Sequence, residues 1–211
     1  MFNKKNKQKL PPNFNLIIVN NKIAIFASGT GSNALKIIKH FRNKDLAEVA
    51  LVLSNNAGAA VLQKAKEADI PALTFSKKEL LRSSLLLKEL QDKEINWIIL
   101  AGFLLKIPEY LIERYPHRII NIHPALLPKY GGKGMYGSRV HQAVIAAGEK
   151  ESGITIHYID KHYDKGEIIL QKKCAVSQED DAESLAQKVQ QLEHKWFPLA
   201  IEKIIKENIG K

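Results

Sequence analysis

The sequence predicts an α/β fold: a single-domain, Rossmann-like open sheet, mostly parallel with a mixed C-terminal part, and helices on both faces. Three observations carry this expectation. Apolar, β-branched runs alternate with helical patterns from residue 22 onward. Runs such as Trp97-Ile98-Ile99-Leu100 are apolar without alternation, as in parallel strands covered on both faces. At 211 residues the chain suits one domain with a sizeable core, and it shows neither an interdomain linker nor an internal repeat.

In chain order, strand 23–27 leads to helix 33–41, strand 49–54 to helix 59–68, and a short strand at 72–75 to a helix over 78–91. A strand at 97–101, a short helix over 108–115 and a strand at 118–122 continue the rhythm. Beyond a Gly-rich loop at 129–137 come a helix over 140–147, two apolar runs at 153–159 and 167–176, and a long C-terminal helix from 182 to about 208. The two apolar runs flank 161–166 and read as a hairpin-like addition, which makes the sheet mixed. Residues 1–21 are Lys- and Asn-rich with Pro11-Pro12 and read as a flexible N-terminal arm, leaving 22–211 as the folded domain.

Composition narrows the function classes. No apolar run approaches the roughly 20 residues that span a bilayer, and 10–20 lacks a secretory cleavage pattern, so a cytoplasmic protein without a membrane partner is expected. The single cysteine, Cys174, excludes an intrachain disulfide and sits in an apolar run, where packing is the expected role. No His/Cys spacing resembles a zinc site, and no metal is expected. The net charge of +10 raises nucleic acid as a partner. However, Lys4, Lys5, Lys7 and Lys9 sit in the arm, and the rest is interleaved with Glu and Asp. No nucleic-acid partner is therefore expected, and the residual charge reads equally as a modest field attracting anionic small substrates or as having no functional meaning.

The segment Ser28-Gly29-Thr30-Gly31-Ser32-Asn33-Ala34 lies between the first strand and the first helix, where backbone N–H groups and a helix N-terminus favour an anion. Gly29-x-Gly31-x-x-Ala34 also fits a dinucleotide fingerprint, which would make the chain an oxidoreductase. That reading needs an acidic residue at the end of the second strand, and the chain has Ser54-Asn55-Asn56 there. A monophosphate cradle is the favoured reading over a purely structural turn.

A second cluster lies in Asn121-Ile122-His123-Pro124. Period-two alternation puts Asn121 and His123 on one side of a strand, at the C-terminal end where open α/β sheets place ligand crevices. Asp164, in the turn at 162–166, is a candidate partner for His123, since a carboxylate beside a histidine favours its imidazolium form. A solvated turn residue is an equal reading of Asp164 from spacing alone. No G-x-S-x-G elbow or H-E-x-x-H pair is present, and His40, His117, His141 and His194 read as surface or packing residues.

Taken in order, Ser28-Gly29-Thr30-Gly31-Ser32-Asn33, Leu100-Ala101-Gly102-Phe103, Asn121-Ile122-His123-Pro124 with Leu126-Leu127-Pro128, and Asp164-x-Gly166 with Ile169-Leu170-Gln171 resemble the phosphoribosylglycinamide formyltransferase family of folate-dependent formyltransferases, over about 22–205. The resemblance implies transfer of a formyl group from 10-formyltetrahydrofolate to the amine of 5-phosphoribosylglycinamide in de novo purine biosynthesis. It implies Asn121, His123 and Asp164 as the catalytic trio, acting on a tetrahedral intermediate. Gly31, Ser32 and Asn33 match the phosphate site, and Gln190, Gln191, Leu192 and Glu193 match a helical segment that contacts the ribosyl-glycinamide. Leu104, Leu105, Lys106 and Ile107, together with Asn121 and the loop Asp160, Lys161, His162, Tyr163 and Asp164, match the folate pocket. The sequence departs from the family at Leu105, often Arg, at Arg139, often His, and in a longer loop over 129–137. Either a monomer or a homodimer is compatible with it.

Two relatives in reaction type remain as rivals. A methionyl-tRNA formyltransferase is expected to carry a further C-terminal domain, and a formyltetrahydrofolate hydrolase a further N-terminal one. A nucleic-acid-binding module is the non-enzymatic alternative.

Overall fold

Residues alternate between two cores along every central strand. In the computed structural model, which describes residues 21–82 and 84–209, the chain runs through β1 (Asn21–Phe26), α1 (Ser32–Phe41), β2 (Ala47–Ser54), α2 (Ala60–Glu67), β3 (Ala72–Thr74), α3 (Lys77–Arg82) and α4 (Ser84–Asp92). It continues through β4 (Trp97–Leu100), α5 (Glu109–Arg114), β5 (Ile119–His123), α6 (Ser138–Ala146), β6 (Glu151–Tyr158), β7 (Ile168–Ala175) and α7 (Ala182–Glu207). From β1 and the residue after it, Ile23, Ile25 and Ala27 enter one core and Ala24 and Phe26 the other, as a period of two requires. The first core packs against α1, α2 and α7 through Ile37, Phe41, Val61, Phe197 and Ile201. The second packs against α3, α4 and α5 through Leu80, Leu90 and Leu111, around a cluster of Phe26, Phe75 and Phe103. Both faces of the sheet are thus covered, which explains the unbroken apolar runs of its strands.

The seven strands lie in the order β3-β2-β1-β4-β5-β6-β7. The first five are parallel, and β6 and β7 add antiparallel to β5. The predicted elements are present within a few residues, and α3 and α4, which flank residue 83, cover the helix expected over 78–91. The arm expected over 1–21 lies outside the described residues apart from Asn21, which opens β1 and accepts a hydrogen bond from the indole of Trp97 (3.2 Å).

Two features of this topology place the site. The strand order reverses between β1 and β4, so the loops that follow these strands diverge and leave a crevice at their C-terminal ends. The hairpin β6–β7 then carries the 159–167 segment back over the same end of the sheet. The turn is tight: a Cβ at Gly166 would overlap the Tyr158 carbonyl, and Tyr158 N–H donates to Glu167 O (2.9 Å). Gly166→Ala should therefore cost roughly 1–3 kcal/mol through forced backbone displacement, measured by urea denaturation; unchanged stability would show that the turn has slack.

Candidate active site

Between the loops after β1, β4 and β5 lies a cleft of about 700 Å³, closed on the far side by α7 and the 132–138 segment. A narrower slot of about 70 Å³ opens beside it, lined by Leu104, Leu105, Lys106, Ile107, Ile159, Asp160 and His162. Five residues line both spaces: Phe103, Leu104, Asn121, Tyr163 and Asp164.

The Gly-rich segment forms one wall. Gly31 is the N-cap of α1 in the left-handed region (φ 72°), and a Cβ there would overlap the Val61 side chain, so only glycine fits. No side chain caps this helix and its first turn holds no acid, which leaves the leading N–H groups free to meet an anion. Ser28 ties the walls together: its hydroxyl donates to Asn55 Oδ1 (2.6 Å) and accepts from Leu104 N–H (3.0 Å). Asn55, near the position where a dinucleotide site needs a carboxylate, is thereby committed to an internal contact. The Asn33 carboxamide is also committed, donating to Glu193 Oε2 (2.8 Å) while its Oδ1 is buried without a partner. One of the two Nδ2 hydrogens of Asn33 is thereby committed. Burial pushes the Glu193 carboxyl above its usual range, against the Asn33 hydrogen bond, which lowers it.

At the cleft floor, β5 presents Asn121 and His123, and the antiparallel register sets Asn121 opposite His157 and His123 opposite Thr155. Thr155 is fully buried, with its hydroxyl donating to Ala125 O (2.7 Å) and accepting from Leu127 N–H (3.0 Å) and Gln171 Nε2 (2.9 Å). Those bonds pin the turn that leaves His123.

His157 is 0% exposed, and burial holds it below the ordinary histidine value, with the neighbouring Asp164 opposing. Its Nδ1 lies 2.8 Å from the Tyr158 carbonyl, which only accepts, so Nδ1 carries the hydrogen and Nε2 presents a lone pair. Asn121 Nδ2 faces that lone pair at 3.1 Å. The orientation of the Asn121 amide is thus dictated: one hydrogen goes to His157 and the other stays available to the cleft.

His123 is set by the same logic. Its Nε2 donates to the Tyr130 carbonyl (2.8 Å), so Nδ1 is the nitrogen that faces Asp164, 3.8 Å from Oδ2. Asp164 also accepts from Gly132 N–H (2.7 Å) and lies 3.7 Å from His157 Nε2. The expected partnership of His123 with Asp164 is therefore an ion-pair distance rather than a direct hydrogen bond.

The C-terminal helix lines the cleft with Ala186, Val189, Gln190 and Glu193, the spacing of one helical face. Of the four consecutive residues expected to contact an acceptor, Gln190 and Glu193 do line the cleft. Gln191 is exposed, and Leu192 packs against the first core. In the 160–164 loop, Lys161 is exposed and lines neither space, whereas Asp160, His162, Tyr163 and Asp164 do.

His141, read from sequence as a surface or packing residue, lines the cleft instead, buried and with Nδ1 unpartnered. Burial lowers its pKa, and nearby His123 lowers it further. His157 escaped the sequence reading, although Thr155 and His157 at alternate positions of an apolar strand are a signal for a polar row. Cys174 is half-buried against the first core, and burial pushes its thiol up, consistent with packing. Among the described residues no cluster of His, Cys, Asp and Glu could hold a metal, and no helix is long and apolar enough to cross a membrane.

A Gly-capped helix N-terminus, a polar trio at the sheet edge and an adjoining slot meet in one α/β cleft, and the chain belongs to the formyl transferase family, whose model matches residues 21–201. Among its relatives, the chloroplastic phosphoribosylglycinamide formyltransferase of Vigna unguiculata is 39% identical over 89% of this chain and 62% of its own length. The phosphoribosylglycinamide formyltransferase of Bacillus subtilis (strain 168) is 34% identical over 87% of this chain and 94% of its own length. The chain thus spans less than two thirds of the Vigna relative and nearly all of the Bacillus one. The crystal structure of phosphoribosylglycinamide formyltransferase from Anaplasma phagocytophilum superposes with a TM-score of 0.81 at 32% identity, covering 89% of this chain and 88% of that one.

The burial of His157 carries a pH signature. A folded-state pKa below the unfolded one means that the unfolded chain takes up a proton first as pH falls through about 6.5, so the stability His157 contributes is present above that pH and declines below it. His141 and His194, also lowered by burial, act in the same direction. The unfolding free energy in urea should fall between pH 7 and pH 5.5, and fall less in His157→Gln; equal losses would mean that His157 is not neutral in the fold.

Proposed function

We propose that this protein transfers a formyl group from 10-formyltetrahydrofolate to the amine of 5-phosphoribosylglycinamide, a step of de novo purine biosynthesis. The observation that carries the reading is the position of Asn121 and Asp164 on both the broad cleft and the slot. One end of the broad cleft offers the α1 N-terminus to a phosphate, with Gln190 and Glu193 beside it for the ribosyl-glycinamide. The slot offers apolar walls and the backbone of 104–107 to a pterin. The names of the Bacillus and Vigna relatives agree with this acceptor.

In the reaction, the glycinamide nitrogen attacks the formyl carbon, forming a C–N bond as the carbonyl electrons move to oxygen. The free hydrogen of Asn121 Nδ2 and the proton on His123 Nδ1 donate to that oxyanion. Asp164, 3.8 Å from Nδ1, balances the positive charge of the doubly protonated ring. It also stands where a water can carry the amine proton to the departing folate nitrogen, whose bond to carbon then breaks as the oxyanion collapses. The orienting contacts of Asn121 and His123 are present before substrate arrives, so little reorganisation accompanies the step. The acceptor and donor are both soluble metabolites, and a cytoplasmic monomer or homodimer would suffice.

The assay is acceptor-dependent formyl transfer followed by folate absorbance, with a control lacking acceptor. Wild type should turn over only with acceptor, and His123→Ala should lose on the order of 10² to 10³ in kcat. Turnover without acceptor would identify a hydrolase, and no turnover in wild type would overturn the reading. Asp164→Asn should retain binding of both substrates by calorimetry yet lose turnover by orders of magnitude; near-normal turnover would remove Asp164 from the mechanism. Gly31→Val is a poor test of the phosphate site, because its side chain would displace Val61 as well.

A further inference from the structure

One short segment holds both halves of the His123–Asp164 pair through its backbone. The Tyr130 carbonyl accepts from His123 Nε2 (2.8 Å), and Gly132 N–H donates to Asp164 Oδ2 (2.7 Å). Tyr130 itself sits in the left-handed region at φ 55°, which a bulky residue holds when its surroundings fix it there. The groups that tether this segment lie outside the cleft. The Tyr130 hydroxyl donates to Glu149 Oε1 (2.9 Å), and Lys129 Nζ donates to the same oxygen (2.8 Å). Glu149 follows the end of α6 and lines neither the cleft nor the slot. Its hydrogen bond from Lys129, then that from Tyr130, holds its carboxyl below the usual range, so both contacts are charge-assisted.

We propose that Glu149 is a positioning residue: by anchoring Tyr130 it keeps the Tyr130 carbonyl on His123 Nε2, fixes the hydrogen on that nitrogen, and reserves Nδ1 for Asp164 and the reacting atoms. A carbonyl oxygen can only accept, so while it stays in place a neutral His123 has its lone pair on Nδ1. Protons are then gained and lost at the nitrogen that faces the chemistry. If the anchor goes, the segment is free to leave the left-handed conformation. His123 then loses the group that selects its tautomer, and Asp164 loses the Gly132 N–H. The kinetic consequence rests on the formyl-transfer reading; the tautomer consequence does not.

The test uses the full chain carrying Tyr130→Phe, Glu149→Ala or Glu149→Gln, with two readouts. At a pH high enough to leave the ring neutral, imidazole nitrogen NMR should show His123 protonated on Nε2 in wild type and a mixture of tautomers in Tyr130→Phe and Glu149→Ala. In the transfer assay these two variants should lose up to roughly 10²-fold in kcat, the scale of a small misplacement, with both KM values changed little. Glu149→Gln keeps an acceptor for the Tyr130 hydroxyl and should restore most of the wild-type tautomer and rate. A double variant should be little worse than either single one, because both act through one tether. Tyr130→Phe is nearly isosteric, so it decides the matter if Glu149→Ala fails to fold. An unchanged His123 signature in folded Tyr130→Phe overturns the proposal. A shifted signature in a protein that never transfers formyl keeps the tether and sinks the transfer reading instead.

Discussion

The register in which β6 runs antiparallel beside β5 is the constraint on which the rest of the site depends. It sets His157 against Asn121 and Thr155 against His123. His157, dry and bonded to the Tyr158 carbonyl, turns the Asn121 amide so that its nitrogen side is the donor. Thr155 and Gln171 hold the turn from which Tyr130 reaches back to His123. A slip of one residue would exchange the faces of β6 and bring Ile156 and Ile154 into this row, with His157 driven into the first core. The apolar residues flanking the polar pair make that slip unfavourable, so the packing of the sheet also specifies the chemistry at its edge.

The electrostatics follow from burial. Removing His157, His141 and Glu193 from water favours their neutral forms, which turns three ionisable groups into oriented hydrogen-bonding groups. An anionic acceptor would meet the open N-terminus of α1 beside Glu193, whose neutral form burial favours. In the proposed transfer Asp164 is the acidic group of the site, and its oxygens face the rings of His123 and His157. Apolar groups around these residues reduce screening and strengthen each contact.

Much of this was legible in the sequence, and the reasons are specific. Strands such as Trp97–Leu100 are apolar throughout because helices cover both faces, and Gly31 stands out because α1 begins from a left-handed residue packed on Val61. Period two was enough to put Asn121 and His123 together. What the sequence withheld depends on register and on the backbone. Nothing local tells that His157 opposes Asn121, since that is decided by pairing between β5 and β6. The Tyr130 carbonyl and the Gly132 N–H bear no side-chain signature at all. His141 reads from sequence as a surface or packing residue because a single histidine on an amphipathic helix does not reveal which cavity its buried face borders. Within the run Gln190 to Glu193, only Gln190 and Glu193 line the cleft, because a motif is contiguous but a helix presents only every third or fourth residue to one side.

The most direct test of the account is a crystal structure with a folate analogue and 5-phosphoribosylglycinamide bound together. The account predicts the phosphate on the N–H groups of Gly31, Ser32 and Asn33, and the pterin in the slot along Leu104 to Ile107. It places the carbon to be transferred between Asn121 Nδ2 and His123 Nδ1, with Asp164 beside it. A pterin bound elsewhere, or a reacting carbon on the Nε2 side of His123, would contradict it.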